Sequence, residues 1–169
     1  MAAAPAPESD PAARGELHLL FSLGGDRYAL PARAVREVLP LQRLKQLPEA
    51  PPWVAGVLAH RGALLPVLDL GMRVLGRPAR ARTSTRLVLV EHPCGRALGL
   101  ILEQAGETLR LPPAGPQDAA LVQQPAYLGP VQAAGAALRQ RIDVAGLLPA
   151  DVADRLFPAA DAPATEPTP

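Results

Sequence analysis

Trp53-Val-Ala-Gly56-Val-Leu-Ala-His-Arg61-Gly62-Ala-Leu-Leu-Pro-Val-Leu-Asp69-Leu70 reads as a strand, a tight turn, a second strand and an acidic stop. Ala126-Tyr-Leu-Gly129-Pro-Val-Gln-Ala-Ala-Gly135-Ala-Ala-Leu-Arg-Gln-Arg-Ile-Asp143-Val144 reads the same way. The spacing from Gly56 to Gly62 equals that from Gly129 to Gly135, and Asp143 follows its second glycine one residue later than Asp69 does. A segment that occurs twice, and only twice, argues for two similar β-lobes rather than a solenoid. Neither copy carries recognisable catalytic equipment, so a binding module is the first reading.

Around this pair, short strands alternate with turn signals. Leu17, Leu19, Phe21 and Leu23 fall on one strand face, Gly24-Gly25-Asp26 suits a hairpin turn, and Arg27 to Leu30 returns. Pro31 suits the first turn of a helix; Val35, Val38 and Leu39 follow at helical spacing, and Pro40 stops it. Leu41 to Leu47 reads as a less clearly patterned strand, with Pro48, Pro51 and Pro52 forming a corner. Val54 to Leu58 and Ala63 to Leu68 are almost wholly apolar, which implies burial on both faces.

Leu70 to Leu75 reads as a short helix closed by Gly76, and Arg77 to Thr83 as a loop carrying Arg77, Arg80 and Arg82. Leu87 to Glu91 and Ala97 to Glu103 form a hairpin about Pro93-Cys94-Gly95, and Thr108 to Leu111 a further strand. Pro112 to Pro125 reads as irregular, and Asp151 to Phe157 as a short helix. The small, Pro-bearing ends, residues 1–15 and 158–169, are expected to be flexible tails, because they bury too little apolar surface to offset ordering entropy.

Composition narrows the function. The 169 residues are 49% hydrophobic and 20% charged with a net charge of +1, which suits a globular chain and argues against nucleic-acid or membrane-surface binding. Aromatics at 3% leave little for base stacking. The single Cys94 rules out an internal disulfide and fits a cytosolic chain. The first residues do not read as a secretory signal, and no apolar run reaches the roughly 20 residues of a membrane span.

Candidate chemistry is sparse. Ser22 and Ser84 lack nucleophile-elbow glycines, and Cys94 sits in a hairpin turn. His18, His60 and His92 have no metal-ligand spacing, so neither a metal nor a cofactor is expected. Gly24-Gly25 lacks the Lys-Ser/Thr of a phosphate loop. Arg77, Arg80 and Arg82 could bind an anion or form a solvated loop. Asp69 and Asp143 read as caps after strands.

Three stretches together resemble the CheW-like domain family. They are Phe21 to Ala32 followed by Val35-Arg-Glu37-Val38; Pro51 to Leu70, with its Arg61-Gly62 and Pro66-Val-Leu-Asp69; and Arg86 to Glu91 with Ala97 to Glu103. The resemblance covers roughly residues 16 to 150, with the middle stretch its most specific part. It implies a mainly β fold of two small pseudo-symmetric β-barrels packed together, with short helices. It also implies a cytoplasmic, non-enzymatic adaptor at membrane-associated receptor arrays, coupling the cytoplasmic tips of chemoreceptors to the regulatory domain of a CheA-type histidine kinase. Other CheW-like domains in array rings are further implied partners.

Carried over by position, Val35, Glu37, Val38, Gly56, Arg61 and Gly62 are the implied receptor-coupling residues, with Glu37 and Arg61 pairing to fix the hairpin against the first helix. For the kinase, Arg86, Val88, Val90, Leu98 and Leu100 mark a region expected on the second lobe. The chain departs from the family pattern at Ala59, usually Asn; at Glu103, usually Asp; and at Gln140-Arg141, usually apolar. These departures leave open an adaptor of a type IV pilus, surface-motility or other chemosensory pathway. A reading from another class, a small-ligand barrel or enzyme, rests only on the habit of β-barrels to hold ligands.

Overall fold

The apolar runs Val54 to Leu58 and Ala63 to Leu68 form paired strands that are buried or half-buried on both faces except at the turn end, where Ala63 and Leu64 are exposed. The computed structural model describes residues 15–113, 124–134 and 137–157. Its strands are β1 Glu16–Leu23, β2 Asp26–Pro31, β3 Val35–Pro40, β4 Val54–His60, β5 Ala63–Asp69, β6 Arg86–Glu91, β7 Ala97–Leu102, β8 Glu107–Leu111, β9 Leu128–Ala134 and β10 Ala137–Ile142. Two short helices, α1 Leu70–Leu75 and α2 Ala150–Leu156, follow β5 and the last strand. Expectations for residues 1–14, 158–169, most of the 112–125 segment and Gly135 fall outside the described residues.

Two five-stranded sheets result, ordered β8-β1-β2-β10-β9 and β3-β6-β7-β5-β4. They are the same sheet twice: a hairpin with one antiparallel edge neighbour, joined through a parallel pair to a second hairpin. The central lobe, β3 to β7, is continuous in sequence; the other lobe is assembled from both ends of the chain. The hydrogen-bonded order is linear, so neither ladder closes into a barrel. The central sheet nevertheless laps back on itself: Lys45, beyond β3 at one edge, exchanges two backbone hydrogen bonds of 2.9 and 2.8 Å with Val57 of β4 at the other.

The two hairpins align at a constant offset of 74 residues, which equates Val54 with Leu128, Leu64 with Leu138 and Asp69 with Asp143. The glycine spacing therefore runs one residue out of register, and the aspartates mark the true one. Asp69 caps α1 by accepting the Met72 N–H at 3.2 Å and also accepts from the Ala79 N–H, while Asp143 accepts from the Ala145 N–H at 3.0 Å. The Asp69 N–H donates to the Trp53 carbonyl, and the Asp143 N–H to that of Tyr127. These two equivalent aromatic rings hold the Arg73 guanidinium between them, 4.3 Å from the Trp53 centroid and 4.9 Å from that of Tyr127. One cation on α1 thus pins the two halves together.

Two expectations are corrected. The segment after Pro31 is not a helix: Ala32–Ala34 makes one 3-10 turn and Val35–Pro40 is a strand. Its inner side is Val35, Glu37 and Leu39 and its outer side Arg36, Val38 and Pro40. A polar Glu37 on the inner side hides the period of two and leaves an accidental helical spacing. Leu41 to Leu47 is likewise no strand but a bridge at Lys45.

The main core lies between the sheets, built on Phe21, Leu30, Leu68, Val88, Leu100 and Ile142. The central lobe has its own aliphatic interior of Leu58, Leu65, Val67, Leu87 and Leu89. Strand pairing places Gln132, Arg139, Arg141, His18 and Leu20 at the corresponding positions of the other lobe. There Gln132 and Arg141 both donate to the Pro112 carbonyl, and Arg141 also bonds the Gln132 side-chain oxygen at 2.9 Å. Arg141, a departure noted above, ties that lobe's far edge to the end of β8.

His18 is completely buried in this polar interior, and burial, reinforced by the Arg141 guanidinium, holds its pKa below the ordinary 6.5 despite the Glu16 carbonyl on Nδ1. Below that pH the unfolded chain binds the extra proton and the folded chain resists it, so stability falls as pH falls. The unfolding midpoint is expected to drop between pH 7.5 and 5. His18→Leu, which copies Leu87 of the central lobe, is expected to flatten that profile; equal slopes in both proteins would contradict the assignment.

Candidate docking site

Where β4 turns into β5, Arg61 and Gly62 take φ values of 48° and 77°. Positive φ at both central residues is the hairpin turn whose twist matches the flanking strands. Gly62 fits it freely, whereas Arg61 bears a left-handed conformation that costs an L-residue about 1–2 kcal/mol. Its guanidinium meets Glu37 of β3, Nη2 donating to Oε1 at 3.3 Å. Glu37 reaches this point because a register shift between Val35 and Glu37 breaks the pairing of β3 with β6. Its second oxygen contacts Nε2 of His60 at 3.1 Å.

The expected Glu37–Arg61 pair is therefore formed, and His60 joins it as a partner that sequence reading passed over. Arg61 is largely exposed in this pair, so it contributes at most about 1 kcal/mol, no more than the turn costs. Stability alone does not account for an arginine in that turn. What the cluster achieves is geometry, since it joins opposite edges of the rolled sheet and presents a fixed charged hairpin.

The other implied coupling residues divide. Val38 is exposed beside Glu37, while Val35 packs against the main core. Gly56 is buried where β4 bulges, and a Cβ there would stand 2.4 Å from the Lys45 carbonyl oxygen, at a φ of 149°. The requirement for glycine there comes from this close backbone approach.

The implied kinase region fares differently. Val88, Val90, Leu98 and Leu100 are each 0% exposed and belong to the core between the sheets. They lie in the same lobe as Gly56 and Arg61, not in a second one. Their neighbours Leu87 and Leu89 are buried on the other face, so both sides of β6 are covered and its middle presents no side chain to a partner. Arg86 is half-buried and donates to the carbonyls of Thr83 and Thr85.

The large hydrophobics most open to solvent among the described residues are Leu64 at 75% and Leu138 at 66%. They are equivalent positions of β5 and β10. Each lines a cavity, of about 580 Å³ at Leu64 and about 180 Å³ at Leu138. Val57, Leu64, Pro66 and Arg96 of the first cavity correspond to Val131, Leu138, Gln140 and Asp26 of the second. The first is mainly apolar, and its only ionisable side chains among the described residues are Arg36, Arg96 and Arg155. The second carries Asp26, Arg27 and Arg139, so a carboxylate stands where the first has the Arg96 guanidinium. Sequence reading missed these two leucines because the glycines suggested an offset one residue too short.

Comparison with known proteins gives a consistent picture. The family model for the CheW-like domain matches residues 17–151. Among curated relatives, the chain is 31% identical over 91 residues to "Chemotaxis protein CheW" of Rhizobium meliloti, covering 54% of this chain and 58% of the relative. It is 44% identical over 68 residues to "Protein FrzA" of Myxococcus xanthus, covering 40% of this chain and 42% of that one. It is 39% identical over 72 residues to "Protein PilI" of Pseudomonas aeruginosa, covering 43% and 40%. The matched part thus spans roughly two-fifths to three-fifths of these relatives. Among solved structures, the scaffolding protein TtCheW from Thermoanaerobacter tengcongensis superposes with a TM-score of 0.70 at 23% identity, covering 82% of this chain and 95% of that one. That likeness concerns the fold.

Proposed function

The chain belongs to the CheW-like domain family, and from that premise we propose that it is a non-enzymatic adaptor of bacterial chemosensory signalling. It holds the cytoplasmic helical tip of a chemoreceptor on the central lobe and the regulatory domain of a CheA-type histidine kinase on the other. The observation that carries this reading is the repetition of one exposed leucine, each beside a cavity, at equivalent places on both lobes. An adaptor needs two faces, and a duplicated lobe supplies them.

The receptor is assigned to the larger cavity because the Glu37–Arg61 hairpin borders it through Ala63 and Leu64. A helical hairpin can lay an apolar stripe against such a surface, with acidic side chains meeting Arg36, Arg96 and Arg155. Three guanidiniums beside an apolar surface suit recognition of a helix that carries carboxylates. The kinase domain, or another CheW-like domain in an array ring, is assigned to the Leu138 cavity. This replaces the buried β6–β7 positions as the kinase-facing surface. Burying one leucine contributes roughly 1.5–3 kcal/mol, so each contact is modest and an array multiplies it. A cytoplasmic place beneath receptor arrays follows from these partners. Among the described residues, no helix is long and apolar enough to cross a membrane.

A second reading, an adaptor in a related pathway other than swimming chemotaxis, is favoured by the higher identities to FrzA and PilI over their shorter matches. Both readings share the mechanism and differ in the kinase served. Calorimetric titration against a CheA-type regulatory domain tests the shared part. Binding is expected in the micromolar range, about 8 kcal/mol, and Leu138→Glu is expected to weaken it at least about tenfold. Absence of binding by the unaltered protein, or full binding by the variant, would contradict the assignment.

A further inference from the structure

The loop between α1 and β6 has no regular structure, yet buried side chains fix its backbone. The Asp69 carboxylate accepts the Ala79 N–H at 3.0 Å, and that of Glu103 accepts the Arg80 N–H at 2.8 Å. The Thr85 hydroxyl donates to the Arg80 carbonyl and accepts the Arg82 N–H at 3.2 Å. Glu103 is well shielded and also binds Arg77 Nη1 at 2.9 Å. Burial alone would raise its pKa, but the hydrogen bonds from Arg80 and Arg77 outweigh that and lower it, so it stays ionised and holds the loop.

This loop borders a cavity of about 490 Å³ shared with the Gly24-Gly25 turn. Arg27, Arg77, Arg80 and Arg82 line it. Arg27 is paired with Glu107 at 3.0 Å and Arg77 with Glu103. Arg80 and Arg82 make no ion pair among the described residues, and both are exposed. An added Cβ at Gly25 would meet nothing within 4 Å, so the turn leaves the cavity open.

We propose that this arginine-lined cavity, between the β1–β2 turn and the loop 77–85, is a docking surface for an acidic segment of a protein partner. It shares no lining residue with the Leu64 cavity and meets the Leu138 cavity only at Arg27, which is held by Glu107. Two guanidiniums two residues apart on a fixed backbone suit two carboxylates of one chain, each taken by a planar fork. The Glu103 carboxylate inside the cavity disfavours the concentrated charge of a phosphate dianion more than two carboxylates spread along a chain. Among the described residues no aromatic ring lines the cavity to offer a platform for a nucleobase.

The test is an NMR amide titration of the full chain with a blocked hexaglutamate peptide, run in parallel with inorganic phosphate. The peptide is expected to shift amides of residues 24–27 and 77–85 saturably, with affinity falling about tenfold between 50 and 300 mM salt. The double variant R80E/R82E is expected to keep the spectrum of a folded protein and lose the response. No saturable shift in the unaltered protein, an unchanged response in the variant, or equal saturation by phosphate at the same concentration would overturn the proposal. Neither kinase nor receptor enters the experiment, so its outcome is independent of the adaptor assignment.

Discussion

Replacing Arg61 by glutamate is expected to weaken binding of a receptor-tip fragment at least about tenfold, which is about 1.4 kcal/mol, while shifting the unfolding midpoint by only a few degrees. The substitution sets a second carboxylate against Glu37, whose Oε1 now accepts the Arg61 guanidinium at 3.3 Å. Like charges about 4 Å apart repel by roughly 1 kcal/mol in water and more near a protein surface. The hairpin end then loses the arginine's tie to β3, and His60 alone remains on the Glu37 carboxylate. Stability changes little because the pair is exposed and offsets a strained turn. Glu37→Gln removes the ion pair without adding repulsion and is expected to fall between the two. Receptor binding by the Arg61 variant at the strength of the unaltered protein would remove the hairpin from the docking face.

Replacing Gly56 by alanine is expected to cost about 2–4 kcal/mol of stability, the larger structural effect of the two. The new Cβ would sit 2.4 Å from the Lys45 carbonyl oxygen and 3.1 Å from Leu44 Cβ, at a φ of 149° that L-residues rarely adopt. Relief requires the Lys45–Val57 bridge to move, and among the described residues this is the only β-bridge between the two edges of the central sheet. Any loss of receptor binding should therefore follow the loss of folded protein and vanish when corrected for it. A Gly56→Ala protein of normal stability with selectively lost binding would make Gly56 a contact residue after all. Denaturant unfolding monitored beside the binding assay separates the two outcomes.

These two positions show what one sequence can and cannot disclose. Gly56, Arg61 and Gly62 were visible as a turn and its flank because left-handed backbone has a narrow residue vocabulary. The hairpins at Gly24-Gly25 and Pro93-Cys94-Gly95, and the helix from Leu70 closed by Gly76, were visible for the same reason. β3 was not, because the inward Glu37 that makes the site also breaks the alternation by which a strand is recognised.

Burial was legible only in outline. The continuous runs at β6 and β7 were read as strands, but a run apolar on both faces does not say which residues reach solvent, and Val88, Val90, Leu98 and Leu100 do not. Leu64 and Leu138 look in sequence like any other strand leucine, and nothing local marks their exposure. The permuted order, with one lobe drawn from both termini, depends on the parallel pairs β5–β7 and β2–β10. Such long-range pairings leave no local pattern. His60 escaped notice because its contact with Glu37 spans the rolled sheet, not the chain.

The most direct test of a two-faced adaptor is co-assembly of the purified protein with a receptor-tip fragment and a CheA-type regulatory domain, followed by sedimentation velocity. The account expects one ternary species. Leu64→Glu should lose the receptor fragment and keep the kinase domain, and Leu138→Glu should do the reverse. If both partners compete for one site, or if either variant loses both partners while remaining folded, the two lobes do not serve as separate docking faces.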